Sequence, residues 1–208
     1  MTTDPISKIV ACNLCTGCGG CAGAFPDFIK MVEDPEQGRR PVVEASAEGR
    51  CAAVKAADYC AGGGTDWASL SLQDEIDEAW GPVLATWEGW AGDVDVRHHG
   101  SSGGVVTALS QFALASGVAS GVAHVAAKAD DPRLNEAVIS RDAEGLMRGA
   151  GSRYAQASPA ETIGEIAQGN EQVAFVGKPC DVASVAKSIQ ADTQLAANIQ
   201  LTIATTTL

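Results

Sequence analysis

Six of the seven cysteines fall within the first 60 residues, and four of them, Cys12, Cys15, Cys18 and Cys21, follow one another at every third position. No packed helix or strand needs thiols at that spacing. Closely spaced thiols with glycines between them let a backbone wrap a small inorganic core, as in iron–sulfur proteins. The bacterial ferredoxin run is C-x2-C-x2-C-x3-C-P. Anchored on Pro26, the chain supplies Cys15, Cys18 and Cys21, but Phe25 stands at the fourth position. In two-cluster ferredoxins that fourth cysteine serves the other cluster. The expectation is therefore one 4Fe–4S cluster whose fourth ligand comes from a distance: Cys60, with Cys51 in reserve. A register using Cys12, Cys15 and Cys18 stays open, as does a zinc site that pairs this run with Cys51 and Cys60.

The rest of the composition narrows the class. A chain of 208 residues with 46% apolar and 19% charged side chains can bury a core without disulfide staples. Its net charge of −12 argues against a nucleic-acid or anionic-membrane partner, since both require a basic footprint. Glycine is abundant, at 23 residues, and aromatics are 5%, which favours tight helix–sheet packing. The longest apolar stretch, residues 112 to 127, is too short and too interrupted to span a bilayer. The first residues lack a basic and apolar leader pattern, so the expected location is cytoplasmic. In that compartment cysteine clusters are more often metal or redox sites than disulfides.

The pattern changes near Gly62-Gly63-Gly64, which divides a cysteine-rich segment, residues 1–65, from an α/β segment, residues 66–208. The front segment shows little periodicity. In the second, helices are expected over 71–79, 102–116, 142–148, 159–168 and 182–190. Strands are expected over 82–90, 121–127, 136–141, 172–176 and 199–204. Val105, Val106, Leu109, Phe112 and Ala113 form one apolar stripe along the 102–116 helix, which Gly117 is placed to end. Alternating strands and helices predict an α/β fold with a mixed, mainly parallel sheet.

Three short motifs in this part suggest a binding site. Arg97-His98-His99-Gly100-Ser101-Ser102-Gly103-Gly104 stands directly before the amphipathic helix. Either serine can cap it, and two glycines in a first turn suggest close backbone approach and an anion site for a cofactor phosphate. An ordinary capped helix start fits equally well, and the two histidines read as exposed. Gly151-Ser152-Arg153-Tyr154 offers a cation and a ring on a turn. Val176-Gly177-Lys178-Pro179-Cys180-Asp181 joins a strand to a helix, where open α/β folds line their ligand crevice. A helix N-terminus favours a thiolate at Cys180, although a buried inert thiol is the commoner reading of such a residue.

Taken in order, C-x2-C-x2-C, G-S-S-G-G-V-V-T-A-L, G-S-R-Y and V-G-K-P-C resemble the coenzyme F-420 hydrogenase/dehydrogenase beta-subunit family. The chlorophyll-related branch, which includes 7-hydroxymethyl chlorophyll a reductases, is the most similar. The resemblance extends from Cys15 onward. It implies an iron–sulfur flavoprotein oxidoreductase: a ferredoxin-like cysteine segment followed by a partial α/β flavin domain. FAD would exchange electrons with a 4Fe–4S cluster on Cys15, Cys18, Cys21 and Cys60. Ser101, Ser102, Gly103 and Gly104 would hold the FAD, with Arg153, Tyr154 and Lys178 near the flavin. Cys180 would ligate a second cluster in longer relatives. The implied partners are ferredoxin or a reduced deazaflavin coenzyme, and a further subunit. The alternative is a non-catalytic module that binds a cluster and delivers electrons to a partner chain. Family members continue past the V-G-x-P-C segment with further cysteines. The expectation is therefore a C-terminally truncated member in which Cys180 is a free thiol and strand 199–204 lacks a covering helix.

Overall fold

The computed structural model describes residues 3–64 and 83–206, and the helix expected over 71–79 lies outside them. The front segment is more ordered than its weak periodicity suggests. Helix α1 (Pro5–Ala11) starts at Asp4, whose carboxylate accepts the Ser7 N–H, with Pro5 preset for the first turn. A short helix α2 (Gly20–Ala24) follows the cysteine run. Strands β1 (Ile29–Asp34) and β2 (Gly38–Val43) pair antiparallel, from Ile29 opposite Val43 to Asp34 opposite Gly38. Helix α3 (Ala47–Ala56) buries only Gly49, Ala52, Ala53 and Ala56. That stripe has helical spacing, but such small side chains give it almost no hydrophobic contrast.

The second part is built on a four-stranded sheet in the order β4-β3-β5-β6. Strand β3 (Gly121–Ala127) pairs antiparallel with β4 (Asn135–Ser140) and parallel with β5 (Val173–Gly177), which in turn pairs parallel with β6 (Ile199–Ala204). Two of the three pairings are parallel, giving the mixed, mainly parallel sheet expected. Every residue of β5 is buried, as befits a central parallel strand. Strand β6 is an edge, and much of it is exposed.

Helices α4 (Val94–His99) and α5 (Val105–Ala115) precede the sheet. Helix α6 (Ala143–Arg148) follows β4, and α7 (Ile163–Gln168) follows a 3-10 turn at Pro159–Thr162. Helices α8 (Pro179–Ala191) and α9 (Thr193–Asn198) connect β5 to β6. The central core joins Phe175, Val173, Ile163, Ile166, Val185 and Leu195, with Ala24 and Tyr59 of the front segment packed against it. Helix α2 lies so close to α7 that a methyl group at Gly164 would overlap the Gly23 carbonyl. Phe25 meets Tyr59 edge to face at 5.7 Å.

Two expectations need correction. Residues 83–90 form no strand. They are exposed along their whole length, and the adjoining backbone contact is a single bond from the Ala91 N–H to the Gly103 carbonyl. An alternating pattern makes a strand only where a neighbouring strand satisfies its backbone. The apolar stripe of α5 is also rotated. Val106 and Ala113 face the sheet with Ser110, whereas Leu109 and Phe112 are 46% and 66% exposed. Small residues on the inner face let α5 approach Val122 and Leu146 closely.

Candidate functional site

The cysteine loop is shaped by left-handed backbone at Asn13, Gly17 and Gly19. A Cβ at Gly17 would lie 2.9 Å from the Arg39 carbonyl, and one at Gly19 would lie 2.7 Å from Glu161 Cγ. Glycine is required here both for its positive φ and for the closeness of two neighbours. The loop is thus clasped between the β1–β2 hairpin and the sheet domain. Ser158 ties the three parts together. Its buried hydroxyl donates to the Gly17 carbonyl at 2.7 Å and accepts the Arg39 Nε–H at 2.8 Å. The Ala160 N–H donates to the Cys18 carbonyl at 3.0 Å. Arg39 is further held by Glu33 at 2.7 Å and Glu161 at 2.6 Å.

Cys15, Cys18, Cys21 and Cys60 line one narrow pocket, walled by Ile6, Ile9, Val10, Met31 and Pro41. Cys12 and Cys51 are exposed and lie off it. Burial raises the Cys21 thiol far above its ordinary range, and the neighbouring thiols Cys18, Cys60 and Cys15 add to this. Cys15 is raised by burial and partly relieved by the Gly17 N–H and Arg40. Cys60 is raised by burial and relieved by the Gly62 and Gly63 N–H groups. Thiols that repel one another's charge in an apolar pocket are stabilised as thiolates only by a bound cationic core. Among the described residues no three His, Cys, Asp or Glu side chains gather tightly enough to hold a single metal ion. The thiols share a wall rather than a point, which suits a polynuclear core better than a tetrahedral zinc. The pocket measures about 10 Å³, so an inorganic core enters only as the thiols swing apart. The donor set is what fits a 4Fe–4S cluster.

A second cavity of about 650 Å³ opens at the carboxyl end of the sheet, beside the first turn of α8. It brings together Ser101, Ser102, Arg153, Lys178 and Cys180 from separate parts of the sequence. The Ser101 and Ser152 hydroxyls share a hydrogen bond of 2.6 Å, which joins the glycine–serine turn to the Gly151–Arg153 loop. Asp181 is fully buried. It accepts the Lys178 N–H and pairs with the Lys178 ammonium, both at 2.8 Å, fixing that cation at the cavity wall. Tyr154 does not line the cavity and is 88% exposed.

Gly103 and Gly104 lie behind the cavity wall in left-handed conformation. A Cβ at Gly104 would lie 2.6 Å from the Val96 carbonyl, and one at Gly103 would lie 3.0 Å from Trp90 Cβ. What approaches these glycines is the protein's own backbone and tryptophan. Neither serine caps α5, whose N-cap is Gly104 with no side-chain acceptor.

Cys180 connects the two pockets. It lines the larger one, and its sulfur is close enough to Thr16 and Cys18 of the cysteine loop for both to act on it. Its thiol is pushed up, first by burial and then by the Asp181 charge, so the expected favouring of a thiolate does not hold. The spacing analysis missed Thr16, His124, Asn135 and Asp181. His124 Nδ1 donates to the Val125 carbonyl at 3.1 Å, so its Nε2 accepts from the Ser140 hydroxyl at 2.8 Å. A histidine within the apolar run of β3 was the signal available in the sequence.

Residues 86–163 match the family model for coenzyme F420 hydrogenase/dehydrogenase, beta subunit N-term. Over these residues the chain belongs to that family. The match includes the Ser101–Gly104 turn and the Gly151–Tyr154 loop, and it leaves out the cysteine run, Lys178 and Cys180. Among solved structures, the fold is similar to a chain of the F420-reducing [NiFe] hydrogenase complex from Methanosarcina barkeri, with a TM-score of 0.51 and 22% identity. The similarity covers 55% of this chain and 41% of that one, so this chain spans less than half of its neighbour's length. No curated protein matches the sequence. Among the described residues no helix is long and apolar enough to cross a membrane.

Proposed function

We propose that the chain is an electron-transfer flavoprotein unit of an oxidoreductase, holding a 4Fe–4S cluster on Cys15, Cys18, Cys21 and Cys60 and FAD in the 650 Å³ cavity. The observation that carries this reading is the shared wall: Thr16 and Cys18 on one side, Cys180 on the other. A flavin, when bound, exchanges two electrons with an organic partner and one at a time with a cluster.

The protein's own contributions follow from the geometry. The Lys178 ammonium, anchored by Asp181, offers a fixed cation to an anionic group. Arg153 offers a second cation from the opposite loop, and the Ser101–Ser152 pair offers hydroxyls between them. The apolar residues around the four thiols exclude water from the metal site, and the Gly62 and Gly63 N–H groups favour the charged sulfur of Cys60. The similar hydrogenase complex points to a further subunit as partner, with ferredoxin or a reduced deazaflavin coenzyme as the soluble carrier.

The test is the visible spectrum of anaerobically purified chain, with iron, acid-labile sulfide and flavin analysis. Flavin bands over a broad cluster shoulder are expected. Cys60→Ser should lose the cluster, while Cys12→Ser and Cys51→Ser should keep it. Stoichiometric zinc without labile sulfide rejects the cluster. A cluster without flavin reduces the chain to an electron-delivery module.

A further inference from the structure

Helix α8 begins in one pocket and passes along the rim of the other. Pro179 and Cys180, its first residues, line the larger cavity. Further along, the Ser184 hydroxyl donates to the Tyr59 carbonyl at 2.8 Å. The Lys187 ammonium donates to the Cys60 carbonyl at 2.9 Å and to the Gly64 carbonyl at 2.7 Å. Ser184 is fully buried against α2, where a methyl group at Gly20 would overlap its hydroxyl.

These bonds fall on the one thiol of the four that needs outside support. Cys15, Cys18 and Cys21 share one loop, anchored by Ser158 and Ala160. Cys60 sits between two single-turn 3-10 helices, Ala57–Tyr59 and Ala61–Gly63. Its local backbone bonds are long: 3.2 Å from the Cys60 N–H to the Ala57 carbonyl, and 3.2 Å from the Gly63 N–H to the Cys60 carbonyl. A charged donor that grips the carbonyls at both ends of this turn restrains it far more than the turn restrains itself.

We propose that Lys187 is a positioning residue for Cys60: by pinning the carbonyls of Cys60 and Gly64 it keeps the fourth thiol directed into the cysteine pocket. The proposal rests on the cluster reading given above. Groups that orient metal ligands without touching the metal commonly change metal retention by about 10- to 100-fold when removed. Because α8 also carries Lys178 and Cys180 at its start, the helix that holds the fourth ligand also borders the larger cavity.

The experiment uses the anaerobically reconstituted chain and its Lys187→Met and Lys187→Arg variants. Iron loss to a chelator is timed, and the electron paramagnetic resonance signal of a 3Fe–4S form is recorded after mild oxidation. Lys187→Met, which keeps the apolar stem, should lose iron at least about tenfold faster. It should pass through the three-iron form, because the iron on Cys60 is released first. Lys187→Arg should restore most of the retention. Should Lys187→Met fail to give the wild-type circular dichroism spectrum, Lys187→Gln takes its place with the same expectation. Wild-type rates and no added three-iron signal would overturn this inference while leaving the cluster reading intact. Faster loss without the three-iron form indicates general loosening and overturns it equally. A wild-type chain that takes up no iron and sulfide overturns the cluster reading and this inference with it.

Discussion

Ser158→Ala should cost the cluster-free protein about 3 kcal/mol of stability. Ser158 is 2% exposed, and alanine fits its space without new contacts. Two partners lose their bond. The Gly17 carbonyl lost at 2.7 Å is a neutral acceptor worth about 1 kcal/mol. The Arg39 Nε–H lost at 2.8 Å is a charged donor on a side chain only 12% exposed, worth about 2 kcal/mol. Arg39 keeps both carboxylates, so the larger penalty of an unpaired buried charge does not arise. Ser110→Ala is the control, since that buried hydroxyl only bonds the Val106 carbonyl of its own helix; it should cost about 1 kcal/mol or less. Urea unfolding measures both, with an unchanged slope showing that the denatured state is not altered. A Ser158→Ala cost below about 0.5 kcal/mol would refute the claim that this hydroxyl fastens the cysteine loop to the sheet domain.

Three further predictions concern the larger cavity. Lys178→Gln should weaken FAD binding about 10- to 100-fold in a flavin-fluorescence titration, the scale of one charge-assisted hydrogen bond; unchanged affinity would place the anionic group elsewhere. His124 is held neutral by burial, which lowers its pKa despite the opposing Val125 carbonyl. The unfolded chain therefore takes up a proton first, and stability should begin to fall as pH drops below about 6.5. His124→Gln should remove that part of the fall in urea unfolding repeated across pH. Gly104→Ala should destabilise the turn by about 2 kcal/mol or more, because its φ is 71° and the new Cβ meets the Val96 carbonyl. Flavin loss in that variant would accompany unfolding seen by circular dichroism, so Lys178 is the cleaner probe of the cavity.

The sheet was legible wherever a strand was both apolar and punctuated. Strand β3 runs from Gly121 to Ala127 as expected, and Gly117, with φ 74°, ends α5 as its sequence suggests. The short segment 83–90 misled because alternation says nothing about whether a partner strand exists. The stripe on α5 misled because hydrophobicity alone ranked Leu109 and Phe112 above Ser110, whereas close packing selected the smaller side chain. Helix α3 was hidden by its alanines. The cysteine spacing marked the four thiols that now line one pocket, yet no local pattern announced Ser158, Asp181 or Lys187 as their supports. Each of these acts on a residue more than 100 positions away or on a neighbouring turn, through single hydrogen bonds that leave no periodic trace.

The central claim is that two redox sites share a wall at Thr16, Cys18 and Cys180. Its most direct test is the microwave power saturation of the flavin radical signal in reconstituted protein, compared with the cluster in its diamagnetic and paramagnetic states. Adjacent sites predict that the paramagnetic cluster markedly speeds relaxation of the flavin radical, so that its signal saturates at higher power. A flavin radical with the same saturation behaviour in both states would contradict the account.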